Sequence, residues 1–123
     1  INPVSKINSA KDATLKSDMG QLANAIATSY TGVDGATYPT SLSVLLPNEL
    51  KSLPKQQAGV TAYCTDSVGL KAAGLDYCYN GAVATAVLWA LLPSNVTKSY
   101  CWDSTSGIFK ITGIPLATAT ACP

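Results

Sequence analysis

Apolar positions in the first thirty residues recur at helical spacing. Ile7, Leu15, Met19, Leu22, Ile26 and Tyr30 step by fours and threes from Leu15 onward, and Ala23 and Ala27 widen the stripe. The pattern predicts one amphipathic helix from residue 3 to about residue 30, with Asn2-Pro3 either as cap and first turn or, if the chain continues upstream, as a kink in a longer helix. Lys6, Lys11, Asp12, Lys16 and Asp18 are assigned to the opposite, solvated face. There, Asp12 with Lys16 makes an i,i+4 pair worth roughly a few tenths of a kcal/mol. Gly32 is the expected C-cap, and Asp34-Gly35 a tight turn. Tyr38-Pro39 reads as extended, residues 41–46 as a short helical turn ended by Pro47, and residues 48–59 as surface loop.

From Val60 the period changes to alternation. Residues 60–66, 76–80, 82–92, 98–104 and 108–112 read as short strands. Asn80-Gly81 is the strongest hairpin signal between them, and Ser106-Gly107 a weaker one. Such a meander of three or four strands with one apolar face needs a cover, and the opening helix has the matching stripe. The predicted fold is α+β: a long N-terminal amphipathic helix packed across a small antiparallel sheet. It forms a single domain divided into helix (residues 1–31), connecting loop (32–59), and sheet with a C-terminal disulfide loop (60–123).

Composition narrows the function. A chain of 123 residues supports one modest core, burying roughly two thirds of its unfolded surface. With net charge +1, a charged fraction of 12%, and scattered lysines with no arginine, nothing signals nucleic acid or an anionic membrane. The longest apolar run, residues 82–92, is too short to span a bilayer. Without histidine, a serine or cysteine nucleophile lacks its usual base, and Glu49, Asp66, Asp76 and Asp103 show no paired-carboxylate spacing. No catalytic residue, cofactor or metal site is therefore assigned.

Cys64, Cys78, Cys101 and Cys122 include no close Cys-Cys pair of the zinc-binding kind. Together with a chain rich in serine and threonine, they point to two disulfides in an extracellular setting. In the meander, Cys78 and Cys101 flank the 82–92 strand, about 9.5 Å apart. That exceeds the roughly 7 Å a disulfide tolerates. The expected pairs are therefore Cys64 with Cys78 and Cys101 with Cys122.

The order of elements and several residue groups resemble the type IV pilins and the related pseudopilins of type II secretion. The carrying residues are Asn2-Pro3, Lys11-Asp12-Ala13-Thr14, Lys16-Ser17-Asp18, Gln21, Leu22 and Ala25, then Asp34-Gly35, Tyr38-Pro39 and Ser41-Leu42. The segment YCWDSTSG, residues 100–107, is similar to the family's sheet-region motif. The resemblance implies that these residues are the exposed half of a subunit. A peptidase site and an apolar helix of family length would precede Ile1, anchoring the subunit in the membrane before assembly.

On that basis the expected function is a structural subunit of an extracellular, cell-surface type IV pilus, acting in adhesion, motility or DNA uptake through the whole filament. Its partners would be other pilin subunits in a helical homopolymer, while this chain alone would be a monomer. Pro3, Lys6, Lys11, Asp12, Lys16 and Asp18 are the candidate filament-interface residues. The alternatives are a type II secretion pseudopilin and, in another class, a freestanding secreted binding or inhibitory domain with two disulfides. Some pseudopilins bind calcium in sheet-side loops. The segment Asp103-Ser104-Thr105-Ser106-Gly107 offers one carboxylate and reads rather as a turn held by Asp and Ser hydrogen bonds. Trp89 and Trp102 read as core aromatics rather than a sugar-stacking platform, and Asn95-Val96-Thr97 matches a glycosylation sequon.

Overall fold

The computed structural model describes residues 3–31, 37–39, 45, 50–52, 77–115 and 120–123. Helix α1 (Pro3–Thr31) is followed by strands β1 (Cys78–Gly81), β2 (Ala86–Leu92), β3 (Asn95–Asp103) and β4 (Phe109–Thr112). They form one antiparallel sheet in the order β1-β2-β3-β4, an uninterrupted meander. The α+β class and the helix-on-sheet arrangement are thus as the sequence predicts. The expected Asn2 cap, the Gly32 C-cap, the Asp34-Gly35 turn and the strand at 60–66 lie outside the described residues. Of the expected turn at 41–46 only Leu45 is described, and it is buried in the core.

Leu15, Met19, Leu22 and Ile26 are the buried stripe of α1, each 4% exposed or less. Full burial of such side chains contributes about 1.5–3 kcal/mol each. They pack on Tyr77, Tyr79, Ala86, Leu88, Ala90 and Trp102, with Tyr100 and Phe109 at the margin. Ile7 departs from the expected stripe and is 54% exposed; at about 100° per residue it falls about 90° from the centre of the Leu15–Ile26 stripe.

The single apolar face expected of the meander also needs correction, for β2 is buried along its whole length on both faces. Ala86, Leu88 and Ala90 look toward α1, whereas Val87 and Trp89 join Cys78, Cys101 and Cys122 in a second cluster behind the sheet. The Cys101–Cys122 disulfide holds the chain end over this rear face, with Cα atoms 6.0 Å apart. Cys78 and Cys101 both register on Trp89 from opposite sides, so they sit two strands apart as expected. Cys78 is disulfide-bonded as well. The expected partner, Cys64, lies outside the described residues.

The strand ends also move. Gly81 pairs with Ala86 inside the ladder, so the turn falls at 82–85, closed by the Ala82 N–H donating to the Thr85 carbonyl at 2.8 Å. Gly81 is required for another reason: a Cβ there would be driven into the Pro39 carbonyl oxygen and the Tyr79 hydroxyl. Those two groups are themselves joined, Tyr79 donating to Pro39 at 2.7 Å in a buried hydrogen bond. Between β3 and β4, Gly107 takes a left-handed φ of 71°, and its N–H donates to the Asp103 carbonyl at 2.9 Å.

Candidate functional site

At about 100° per residue, distance around α1 decides which polar residues meet the sheet. Measured from the centre of the Leu15, Met19, Leu22 and Ile26 stripe, Asp12 falls about 50° away, Asp18 about 70° and Lys16 about 90°, whereas Lys6 falls about 170° away. The assignment of all five charged residues to one solvated face is therefore corrected in part: Lys6 and Lys16 are exposed as assigned, whereas Lys11, Asp12 and Asp18 are half-buried on the flanks of the stripe.

The contacts follow that geometry. Asp12 accepts from the Ser94 backbone N–H at 3.2 Å and from the Ser94 hydroxyl, in the turn that joins β2 to β3. Lys16 places its Nζ 5.5 Å from the centroid of the Tyr100 ring on β3, a cation–π contact. Asp18, on the opposite flank, accepts from the Tyr77 hydroxyl at 2.8 Å just ahead of β1. Three of the six interface candidates thus brace the helix against its own sheet. Lys6 is exposed, Lys11 is half-buried, and Pro3 opens the helix.

N-terminal to the brace, α1 continues back to Pro3. Among the side chains described from Lys6 to Thr14, none is buried, and the first core residue is Leu15. The stretch from Pro3 to Lys11, before the Asp12–Ser94 contact, is about 13 Å long at 1.5 Å per residue, with Asn8 and Lys11 half-buried. It carries Lys6 and the exposed Ile7. None of the described helices is long and apolar enough to cross a membrane.

The rear of the sheet centres on Asp103, which is 3% exposed. One carboxylate oxygen accepts from the Ser106 backbone N–H at 2.7 Å, the other from the Cys122 backbone N–H at 2.9 Å. Burial alone would push this carboxyl up. The two backbone donors, the Ser106 hydroxyl and the Lys110 charge outweigh it and hold the group below the ordinary aspartate value. Asp103 is therefore spent on tying the β3–β4 turn to the chain end. Among the described residues, no group of three or more His, Cys, Asp or Glu could hold a metal ion.

Trp89 and Trp102 are 1% and 6% exposed, so neither offers an open face for stacking. The Trp89 indole Nε1 is buried with no hydrogen-bond partner among the described residues. An open groove of about 480 Å3 lies between α1 and the β3–β4 turn, with Asn24, Trp102 and Phe109 in its lining. Sequence reasoning missed the partners Ser94, Tyr77 and Tyr100, since each contact joins segments far apart in the chain. Comparisons with protein-family models, curated proteins and solved structures found no match to the chain.

Proposed function

We propose that the chain is the exposed globular part of a filament subunit of the type IV pilin kind. The observation that carries this reading is the N-terminal stretch of α1 ahead of the Asp12–Ser94 contact, which contributes no described side chain to the core. A helix braced to its sheet from Asp12 onward continues for about 13 Å ahead of that contact, with no buried side chain among those described from Lys6 to Thr14. A stalk of this kind suits continuation into an apolar helical half packed among neighbouring subunits, where apolar helices replace lipid without exposing backbone to it. Pro3, lacking the N–H for a bond to the preceding turn, would loosen the joint between the two halves. Lys6 and Ile7 then lie nearest the adjoining subunit, while Asp12, Lys16 and Asp18 fix the angle between stalk and globular part. The Cys101–Cys122 disulfide supports the same reading, because such bonds persist in oxidising surroundings outside the cytosol.

The test is electron microscopy and mass spectrometry of filaments sheared from wild-type and gene-deleted cells. Filaments that contain the protein and vanish on deletion are expected. Unchanged filaments, with the protein recovered as a free secreted monomer, would leave the freestanding binding domain instead.

A further inference from the structure

The chain contains six asparagines, and only Asn95 begins an N-x-Ser/Thr sequon. Its surroundings are unusual for a strand. Consecutive β2 residues Leu91 and Leu92 pair with Ser99 and Asn95, so the ladder passes over residues 96–98 and the sequon sits in a bulge. Asn95 and Thr97 are both exposed.

Within the bulge, the side chain of Asn95 takes the place of a ladder partner. Its Oδ1 accepts from the Thr97 backbone N–H at 3.2 Å and from the Thr97 hydroxyl at 2.6 Å. This is an Asx turn, in which a short amide side chain bends back to the backbone two residues on. Both donors go to the carbonyl oxygen, and among the described residues nothing accepts from Nδ2. The adjoining Pro93-Ser94 turn is held by Asp12, so the bulge is presented on a fixed support.

We propose that Asn95 is an N-glycosylation acceptor, modified by an oligosaccharyltransferase that uses a polyprenyl-pyrophosphate-linked sugar. In the transfer, Asn95 Nδ2 forms a bond to the sugar C1 and the bond from C1 to the pyrophosphate oxygen breaks. The polyprenyl pyrophosphate leaves with the electron pair, and the amide proton passes to a base of the transferase. The Thr97 hydroxyl holds the amide oriented, so Thr97 is a positioning residue. The disulfide Cys101–Cys122 agrees with maturation outside a reducing cytosol, where such enzymes work. The proposal does not depend on filament assembly, since a freestanding secreted domain would carry the same acceptor.

The experiment is glycopeptide mass spectrometry of the protein purified from its own cells, reading the tryptic peptide of residues 72–98 after reduction. A carbohydrate mass on this peptide is expected in the wild type and in Thr97→Ser, with its loss in Asn95→Gln and in Thr97→Ala. An unmodified peptide in the wild-type protein would overturn the proposal. So would an added mass that survives Asn95→Gln, which would place the sugar on a hydroxyl such as Ser94 or Thr97 instead.

Discussion

At position 81 the space for a side chain is closed by another segment of the chain. The Pro39 carbonyl and the Tyr79 hydroxyl, already bonded to each other, occupy the volume a Cβ would need. Backbone and a buried hydrogen bond give way less easily than a flexible side chain. Gly81→Ala is therefore expected to cost about 1–3 kcal/mol, read as a lower urea midpoint; an unchanged midpoint would mean that the 37–39 segment yields freely. The sequence announces the glycine but suggests the wrong reason, because Asn-Gly between apolar runs favours a two-residue turn whereas the actual constraint is non-local. Asp103 makes a second residue-scale prediction. Its folded carboxyl lies below the ordinary value of 3.8, so its contribution to stability is present above that pH and disappears as pH falls through the folded value. Thermal melts should show an acid limb beginning below about pH 5. Asp103→Asn should lower the melting temperature at neutral pH and flatten that limb, and an unaltered limb would assign it to other carboxylates.

Among the elements, α1 illustrates what periodicity reveals and what it hides. The buried stripe from Leu15 to Ile26 was legible because spacing by three and four depends on the helix alone. Sorting the charged residues into one wet face failed in part because the outcome depends on where the sheet ends and which groups it presents. Ser94 and Tyr77 draw Asp12 and Asp18 inward, while Lys16 stays exposed over the Tyr100 ring. The strand order was likewise legible from alternation and turn spacing, whereas the burial of Val87 and Trp89 behind β2 required the C-terminal cover that Cys122 helps to form. The brace predicts a measurable coupling. In a double-mutant cycle of Asp18→Ala and Tyr77→Phe, the interaction energy should be about 1 kcal/mol or more, as for a hydrogen bond to a charged acceptor. Strictly additive effects would remove Asp18 from the brace. The chain end offers a further element-scale check. Opening the Cys101–Cys122 link, which closes a separation of 21 residues, should cost about 3 kcal/mol in the chain-entropy model. Cys101→Ala with Cys122→Ala, melted beside the wild type, measures it, and equal melting temperatures would contradict it.

For the molecule as a whole, the layer between helix and sheet contains several phenols as well as aliphatic side chains, and this sets an alkaline limit to stability. Tyr77 and Tyr79 are fully buried, and Tyr100 is half-buried beneath Lys16. Burial raises the pKa of each, and for Tyr77 the hydrogen bond to Asp18 and its negative charge add to the effect. The folded state therefore holds these protons more tightly than the unfolded chain, whose phenols titrate near 10.0. Stability from these groups is fully present below that value and declines as pH rises above it toward the folded values. The chain is expected to unfold cooperatively in alkali, with phenolate absorbance from the buried tyrosines rising together with loss of near-ultraviolet circular dichroism. Tyr77→Phe removes one proton from the linkage, so although the variant loses a hydrogen bond at neutral pH, its stability should decline less steeply above pH 10. If all six tyrosines ionise near pH 10 while the circular dichroism stays native, the phenols are not confined between helix and sheet, and the packing of α1 across the meander would have to be redrawn.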